Sequence, residues 1–450
     1  MLRGVLDDAA GRWWLDLVEA LASHAPSPAR VADAYARFFT LLSAEAEFAG
    51  EPLVGDAWQH HLLGRLLEDE NPLSLKAERA GRSAIGPALL AQTRADLGAL
   101  ERCHRVGGTA IARAVARLTQ TPPASWEGFR PLSASDPGSP RRHMMVRFAA
   151  TRDWRGLVPH LADYYAEHGV GLFARFRAFR WIRDAAGGGH LEGVAHPDPV
   201  QLADLVGYEK ERQPAVDNAR QFVANLPANN VLLYGDRGTG KSSTVKALLT
   251  EFHAQGLRLI EVSKEHLEDY VHIVTLLRDR RERFILFVDD LSFEEQETQY
   301  KALKAVIEGG LEARPENVVL YATGNRRRLV RERFSDRTGR AQDDDDVHSE
   351  ETTQEKLSLA DRFGIHVPFL IPDQGRYLDI AQALAARLGV PLSAREVRQR
   401  ALLWSQWHNG RSCRTARQFV EALRGELALA QTDGEGGAAA HDARSRRRPR

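Results

Sequence analysis

The chain has 450 residues, enough for about three domains of ordinary size. Its 61 basic and 61 acidic side chains cancel, which excludes a strongly basic nucleic-acid coater and an acidic disordered chain; 43% hydrophobic and 27% charged residues suit a globular protein. Cys103 and Cys413 alone cannot build a disulfide framework or a cysteine zinc site, and no run approaches the ~18 apolar residues of a membrane span, so a cytoplasmic protein with no membrane contact is expected.

Residues 1–118 carry apolar side chains at helical spacing, first in Trp13–Leu21, then in Ala32–Leu42, Trp58–Leu67, Pro87–Leu100 and Thr109–Leu118. His60-His61 lacks the i,i+4 spacing that puts two imidazoles on one helix face, so no metal is expected there. Prolines 122, 123, 131, 137 and 140 predict a surface linker over 119–143. Arg152–Ala185 reads as helix again, with Trp154, Tyr164, Tyr165, Phe173, Phe176, Phe179 and Trp181 for a core. Gly187-Gly188-Gly189, Pro197 and Pro199 then close a helical domain spanning 1–196.

From residue 200 short apolar runs alternate with helical stretches: Val231–Tyr234, Leu257–Val262, Phe284–Val288, Val318–Ala322 and His366–Ile371. Such runs fit strands buried on both faces of a parallel sheet with right-handed crossovers. The expected fold is α/β, with five parallel strands over 200–373. Tyr377–Leu388, Ala394–Trp407 and Thr415–Leu429 follow as a helical lid over 374–430. The Gly/Ala-rich stretch 431–450, ending in Arg446-Arg447-Arg448-Pro449-Arg450, is expected to be a disordered tail.

Gly235-Asp236-Arg237-Gly238-Thr239-Gly240-Lys241-Ser242 matches G-x-x-x-x-G-K-[ST] between a strand and a helix opened by Ser243. Such a loop lets backbone N–H groups and a helix N-terminus converge on phosphates. Lys241 supplies a charge for the β- and γ-phosphates, and the Ser242 hydroxyl is a candidate Mg²⁺ ligand. Phe284–Val288 delivers Asp289 and Asp290 at its carboxyl end, where a parallel sheet presents its ligands. Asp289 is the candidate carboxylate on the metal side. The next acid orients or deprotonates water; here it is Asp290, one methylene shorter than the usual Glu, with Glu294 or Glu295 as alternatives.

On these residues the chain resembles the AAA+ P-loop ATPases over about 202–429. Leu205-Val206-Gly207-Tyr208-Glu209 is similar to the segment leading into the nucleotide pocket. Tyr321-Ala322-Thr323-Gly324-Asn325 resembles sensor 1, which would set Asn325 at the γ-phosphate or the water. Leu359-Ala360-Asp361-Arg362-Phe363-Gly364 resembles the segment carrying the arginine finger, with Arg362 as the finger. Gly410–Arg417 resembles sensor 2, Arg414 matching better than Arg417. Leu226-Pro227-Ala228-Asn229-Asn230, Asp290–Glu294 and Ala322–Arg327 look most like a bacterial AAA+ ATP-binding family of unknown function.

The resemblance implies an ATP-hydrolysing, Mg²⁺-dependent homo-oligomer that remodels an unknown protein client, with specificity on the helical domain. Its counterpart is an ATP-gated switch or loader that turns over rarely. Ser263 leads into a helix over Lys264–Arg281 with no aromatic–hydrophobic–Gly pore loop, so a threading unfoldase is not expected; the stretch is also too short for an initiator's extra helix. Between Arg326 and Glu355 seven arginines precede Asp343-Asp344-Asp345-Asp346. This block reads as a self-neutralising solvated loop, or as a dock for a partner or a nucleic-acid backbone. Only eight of the 61 basic residues are Lys, so arginine clusters here carry less weight as nucleic-acid signals.

Overall fold

The computed structural model describes residues 1–132, 138–184, 188–291, 315–325, 362–408 and 410–445, with side chains through 430. The chain divides into two compact units, Met1–Phe176 and Arg177–Arg450. Among the described residues no helix is long and apolar enough to cross a membrane.

The first unit is helical. Its helices include Ala9–Ala22, Pro28–Glu47, Ala57–Glu68, Pro87–Arg105 and Gly108–Thr119, so the apolar periodicity read from the sequence marks real elements. Side-chain caps fix the first three N-termini, with Asp8, Ser27 and Asp56 accepting from first-turn N–H groups. At the centre Trp14 stacks on Trp58 at 4.6 Å and Phe38 meets Trp126 edge-on at 5.1 Å. Trp126 corrects the linker expectation for 119–143. It is fully buried, and the main chain around it is tied back by Leu132 N–H to Glu47 O at 3.1 Å. A Trp of this size contributes more by burial than flanking prolines cost in regularity, so Trp126 belongs to the core while most of the described residues beside it stay at the surface.

The second unit is built on a seven-stranded sheet: β1 Ala178–Arg183, β2 Gly189–Gly193, β3 Val231–Gly235, β4 Leu257–Glu261, β5 Arg283–Val288, β6 Val318–Gly324 and β7 Ile365–Phe369. Their order is β2-β1-β4-β5-β6-β3-β7. The five strands read from the sequence are all present and pair in parallel. Two further strands correct both the strand count and the boundary near 200. β1 lies parallel to β4, and β2 runs antiparallel to β1. The predicted helix over Arg152–Ala185 therefore ends early, because Phe179 and Trp181 fall on one strand face and are buried there.

After β7 come helices Gln374–Arg387, Ala394–Trp407 and Cys413–Ser445. The last corrects the disordered-tail expectation as far as Ser445, since Ala438, Ala439, Ala440 and Ala443 have the propensity to extend a helix already begun.

Candidate functional site

β3 lies between β6 and β7, and β6 lies between β5 and β3. The carboxyl ends of these strands therefore converge, and the chain leaves β3 through the glycine loop into helix Lys241–Phe252. Gly235 has φ +136°, and a Cβ there would lie 2.0 Å from the Phe369 carbonyl oxygen, so β7 requires glycine at this point. Asp236 fixes the loop to β7: its N–H donates to Phe369 O at 3.0 Å, and its carboxylate accepts from Ile371 N–H at 2.9 Å. Within the loop the Thr239 hydroxyl donates to Asp236 O at 2.8 Å.

Lys241 is buried, and its ammonium donates to Gly235 O at 2.9 Å and Asp236 O at 2.7 Å. Burial holds its pKa below the ordinary lysine value, while Asp236, Asp289 and Asp290 pull the other way. A cation desolvated in this manner gains from an anion delivered to the loop.

The Ser242 hydroxyl donates to Asp289 Oδ1 at 2.6 Å. Thr323, at the end of β6, donates to the same oxygen at 2.5 Å and accepts from Asp290 N–H at 2.9 Å. Asn325 Nδ2 donates to Asp290 Oδ1 at 2.6 Å, and Arg237 faces Asp290 Oδ2 at 3.9 Å. Asp290 has φ +52°, the left-handed region that a non-glycine residue enters at a cost. The structure thus brings Ser242, Asp289, Asp290 and Asn325 together. It adds Thr323, whose sequence signal is only a hydroxyl two residues before Asn325.

A cavity of about 260 Å³ adjoins the loop. Its lining includes Gly238–Thr244 of the loop and helix, Asp204–Tyr208 of the lead-in segment, Ile380 and Leu384 of the first lid helix, and Cys413, Arg414 and Arg417 of the last. The lid touches the loop directly, through Arg414 N–H to Gly238 O at 3.0 Å. Arg414 and Arg417 both border the cavity. Arg212, unremarked in the sequence, is buried there and donates to Gly207 O at 2.7 Å. Burial raises the Cys413 pKa to about 11, so this thiol is neutral at physiological pH. Arg362 lies just before β7 and does not line the cavity; Glu294 and the block 326–355 fall outside the described residues.

Hard oxygen donors such as Ser242 Oγ and Asp289 Oδ1 suit Mg²⁺, which takes one or two protein ligands and fills its octahedron with phosphate and water. Among the described residues no group of three or more His, Cys, Asp or Glu assembles to hold a metal. The fit therefore rests on this hydroxyl–carboxylate pair.

A parallel core ordered β4-β5-β6-β3-β7, with a phosphate loop after β3 and helices after β7, defines an AAA+ P-loop fold. More particularly, residues 174–427 match the family described as "Protein of unknown function (DUF815)", and the chain belongs to it. The helical unit lies almost wholly outside that match. Among solved structures the chain is similar to the Thermotoga maritima RuvB Holliday junction branch migration motor, at 16% identity, 52% of this chain, 67% of that chain and a TM-score of 0.36. A single-site variant of the same protein matches at 17% identity, over 52% and 67% of the two chains, with a TM-score of 0.36. No curated protein matches.

Proposed function

We propose that the chain binds ATP with Mg²⁺ and hydrolyses it, using turnover to remodel a macromolecular partner. The observation that carries this reading is the convergence of a buried Lys241, the Ser242–Asp289–Thr323 cluster and the Asp290–Asn325 pair on one loop. Residues Gly235–Ser243 cradle the phosphates, with Lys241 exchanging its two carbonyl partners for phosphate oxygens. Ser242 and Asp289 hold Mg²⁺, which when bound neutralises charge on the β- and γ-phosphates. Asp290 accepts a proton from, or orients, the attacking water. Asn325 fixes the Asp290 carboxylate, and Arg414 reaches the γ-phosphate from the lid.

Arg362 is proposed as a finger supplied to a neighbouring subunit, which makes the working form a homo-oligomer. The helical unit selects the client, a protein of the same compartment, which we take to be the cytoplasm.

A second reading, a slow ATP-gated switch acting on protein or DNA, is favoured by Asp290 itself. Its shorter carboxylate is already engaged by Asn325 and faced by Arg237. Steady-state turnover of the full chain, with and without DNA, separates the two. Asp290→Asn should abolish turnover while ATP still binds. Turnover that survives in this variant and collapses in Glu294→Gln transfers the role to Glu294.

A further inference from the structure

Residues 376, 380, 384 and 387 recur at i, i+4, i+8 and i+11 along the first lid helix, so they form one stripe over about three turns. Its middle is apolar, Ile380 and Leu384, and its ends are Arg376 and Arg387. Residues 203–211, which are the lead-in segment, its flank and the first turn of the helix Glu209–Val223, meet this stripe throughout. Arg387 Nη2 donates to Asp204 Oδ1 at 2.5 Å, and its Nη1 donates to Ala203 O. At the other end Arg376 donates to Glu211 Oε1 at 2.7 Å, and its guanidinium lies 4.0 Å from the centre of the Tyr208 ring. Between them Gly207, at φ +82°, comes so close that an added Cβ would sit 2.9 Å from Ile380 Cδ1.

The seam so formed is one wall of the cavity, since Asp204–Tyr208 line it from one side and Ile380 and Leu384 from the other. We propose that Arg376 and Arg387 form a two-ended clasp joining the lid helix to the lead-in segment, and that this clasp sets how fast nucleotide leaves the pocket. This rests on the nucleotide reading above. The phosphates are held by the loop, so the clasp acts on the nucleoside side: a ligand wedged against Leu205, Val206, Ile380 and Leu384 leaves when the seam parts. Arg376 and Arg387 are positioning residues, acting through the wall they close.

The test is stopped-flow dissociation of a fluorescent N-methylanthraniloyl-ADP from the full-length protein. Arg387 and Asp204 are partly exposed, at 40% and 36%, so both can be changed without opening the core. Arg387→Asp and Asp204→Arg each place like charges together and should speed dissociation roughly three- to tenfold, and the double swap should return it to within about twofold of the original rate. Arg376→Ala should speed release in the same range, and Arg376→Lys, which keeps the charge opposite Glu211, should recover part of the effect. The swap reports pairing, and melting without nucleotide reports folding separately: faster release with unchanged melting is what a merely structural pair does not give.

Single variants that release at the original rate overturn the clasp, as do fast singles that the swap fails to rescue. Lys241→Ala separates the two levels. If it binds the analogue as the original protein does, the nucleotide reading fails. If it loses binding while the clasp variants release at the original rate, the clasp alone fails.

Discussion

Thr323→Val removes one hydroxyl and almost no volume. In the structure that hydroxyl donates to Asp289 Oδ1 at 2.5 Å and accepts from Asp290 N–H at 2.9 Å, and the residue is 1% exposed. A hydrogen bond to a charged group contributes about 1.5–3 kcal/mol when well enclosed. Both carboxylates reach solvent here, so water replaces part of the loss, and about 1–2 kcal/mol of stability should go. The larger consequence is for the acids. Among the described residues Asp289 keeps only Ser242 as a donor, and Asp290, already at φ +52°, loses the hydroxyl that its N–H donates to. The Mg²⁺ concentration for half-maximal turnover should therefore rise about tenfold, and maximal turnover should fall by at least that factor. Urea denaturation measures the first effect, and a Mg²⁺ titration of ATP hydrolysis the second. Thr323→Ser keeps the hydroxyl and loses only a buried methyl, costing about 0.8 kcal/mol with the Mg²⁺ requirement unchanged. If Val and Ser shift the Mg²⁺ requirement equally, the hydroxyl does not hold the acids and the reasoning fails.

In the helical unit His61 lies between Asp8 at 2.9 Å and Glu45 at 2.7 Å. Burial alone would lower its pKa, but its hydrogen bonds to Asp8 and Glu45 outweigh burial and raise it to about 9. A raised folded pKa stabilises fully below the unfolded value near 6.5 and is lost as pH climbs through about 9. The midpoint of unfolding of residues 1–176 within the full chain should therefore fall over that window, and His61→Gln should flatten the dependence; an unchanged slope rejects it. Arg414→Ala should narrow the difference in affinity between ATP and ADP, measured by calorimetry, whereas equal loss for both means general damage to the lid. Mixing Lys241→Ala with Arg362→Ala should restore part of the ATPase activity each lacks, through interfaces pairing an intact loop with an intact finger. Confirmed mixed oligomers without recovery count against a finger in trans.

The five parallel strands were legible because strands buried on both faces leave continuous apolar runs, and Val231–Tyr234 or Phe284–Val288 have no other reading as short. β1 was not. Its buried Phe179 and Trp181 alternate with exposed Arg180 and Ile182, a half-buried pattern that merges with the aromatic helices before it. Trp126 was hidden by the prolines around it, and no local pattern tells a buried Trp from an exposed one. In the site, contiguous motifs placed the loop, Asp289, Asp290 and Asn325, which the structure gathers on neighbouring strand ends. Thr323 bonds across 34 positions and Arg387 across 183, and nothing in the sequence near either residue announces a partner so distant.

The central claim is that the loop around Lys241 holds the phosphates of ATP. Equilibrium binding of ATP to the full-length protein, with and without Mg²⁺, compared between the original chain and Lys241→Ala, tests it most directly. The account predicts saturable binding strengthened by Mg²⁺, and a loss of at least about tenfold in the variant, corresponding to ~1.5–3 kcal/mol, with melting in the absence of nucleotide preserved. Equal ATP affinity in the two proteins, both folded, would contradict it.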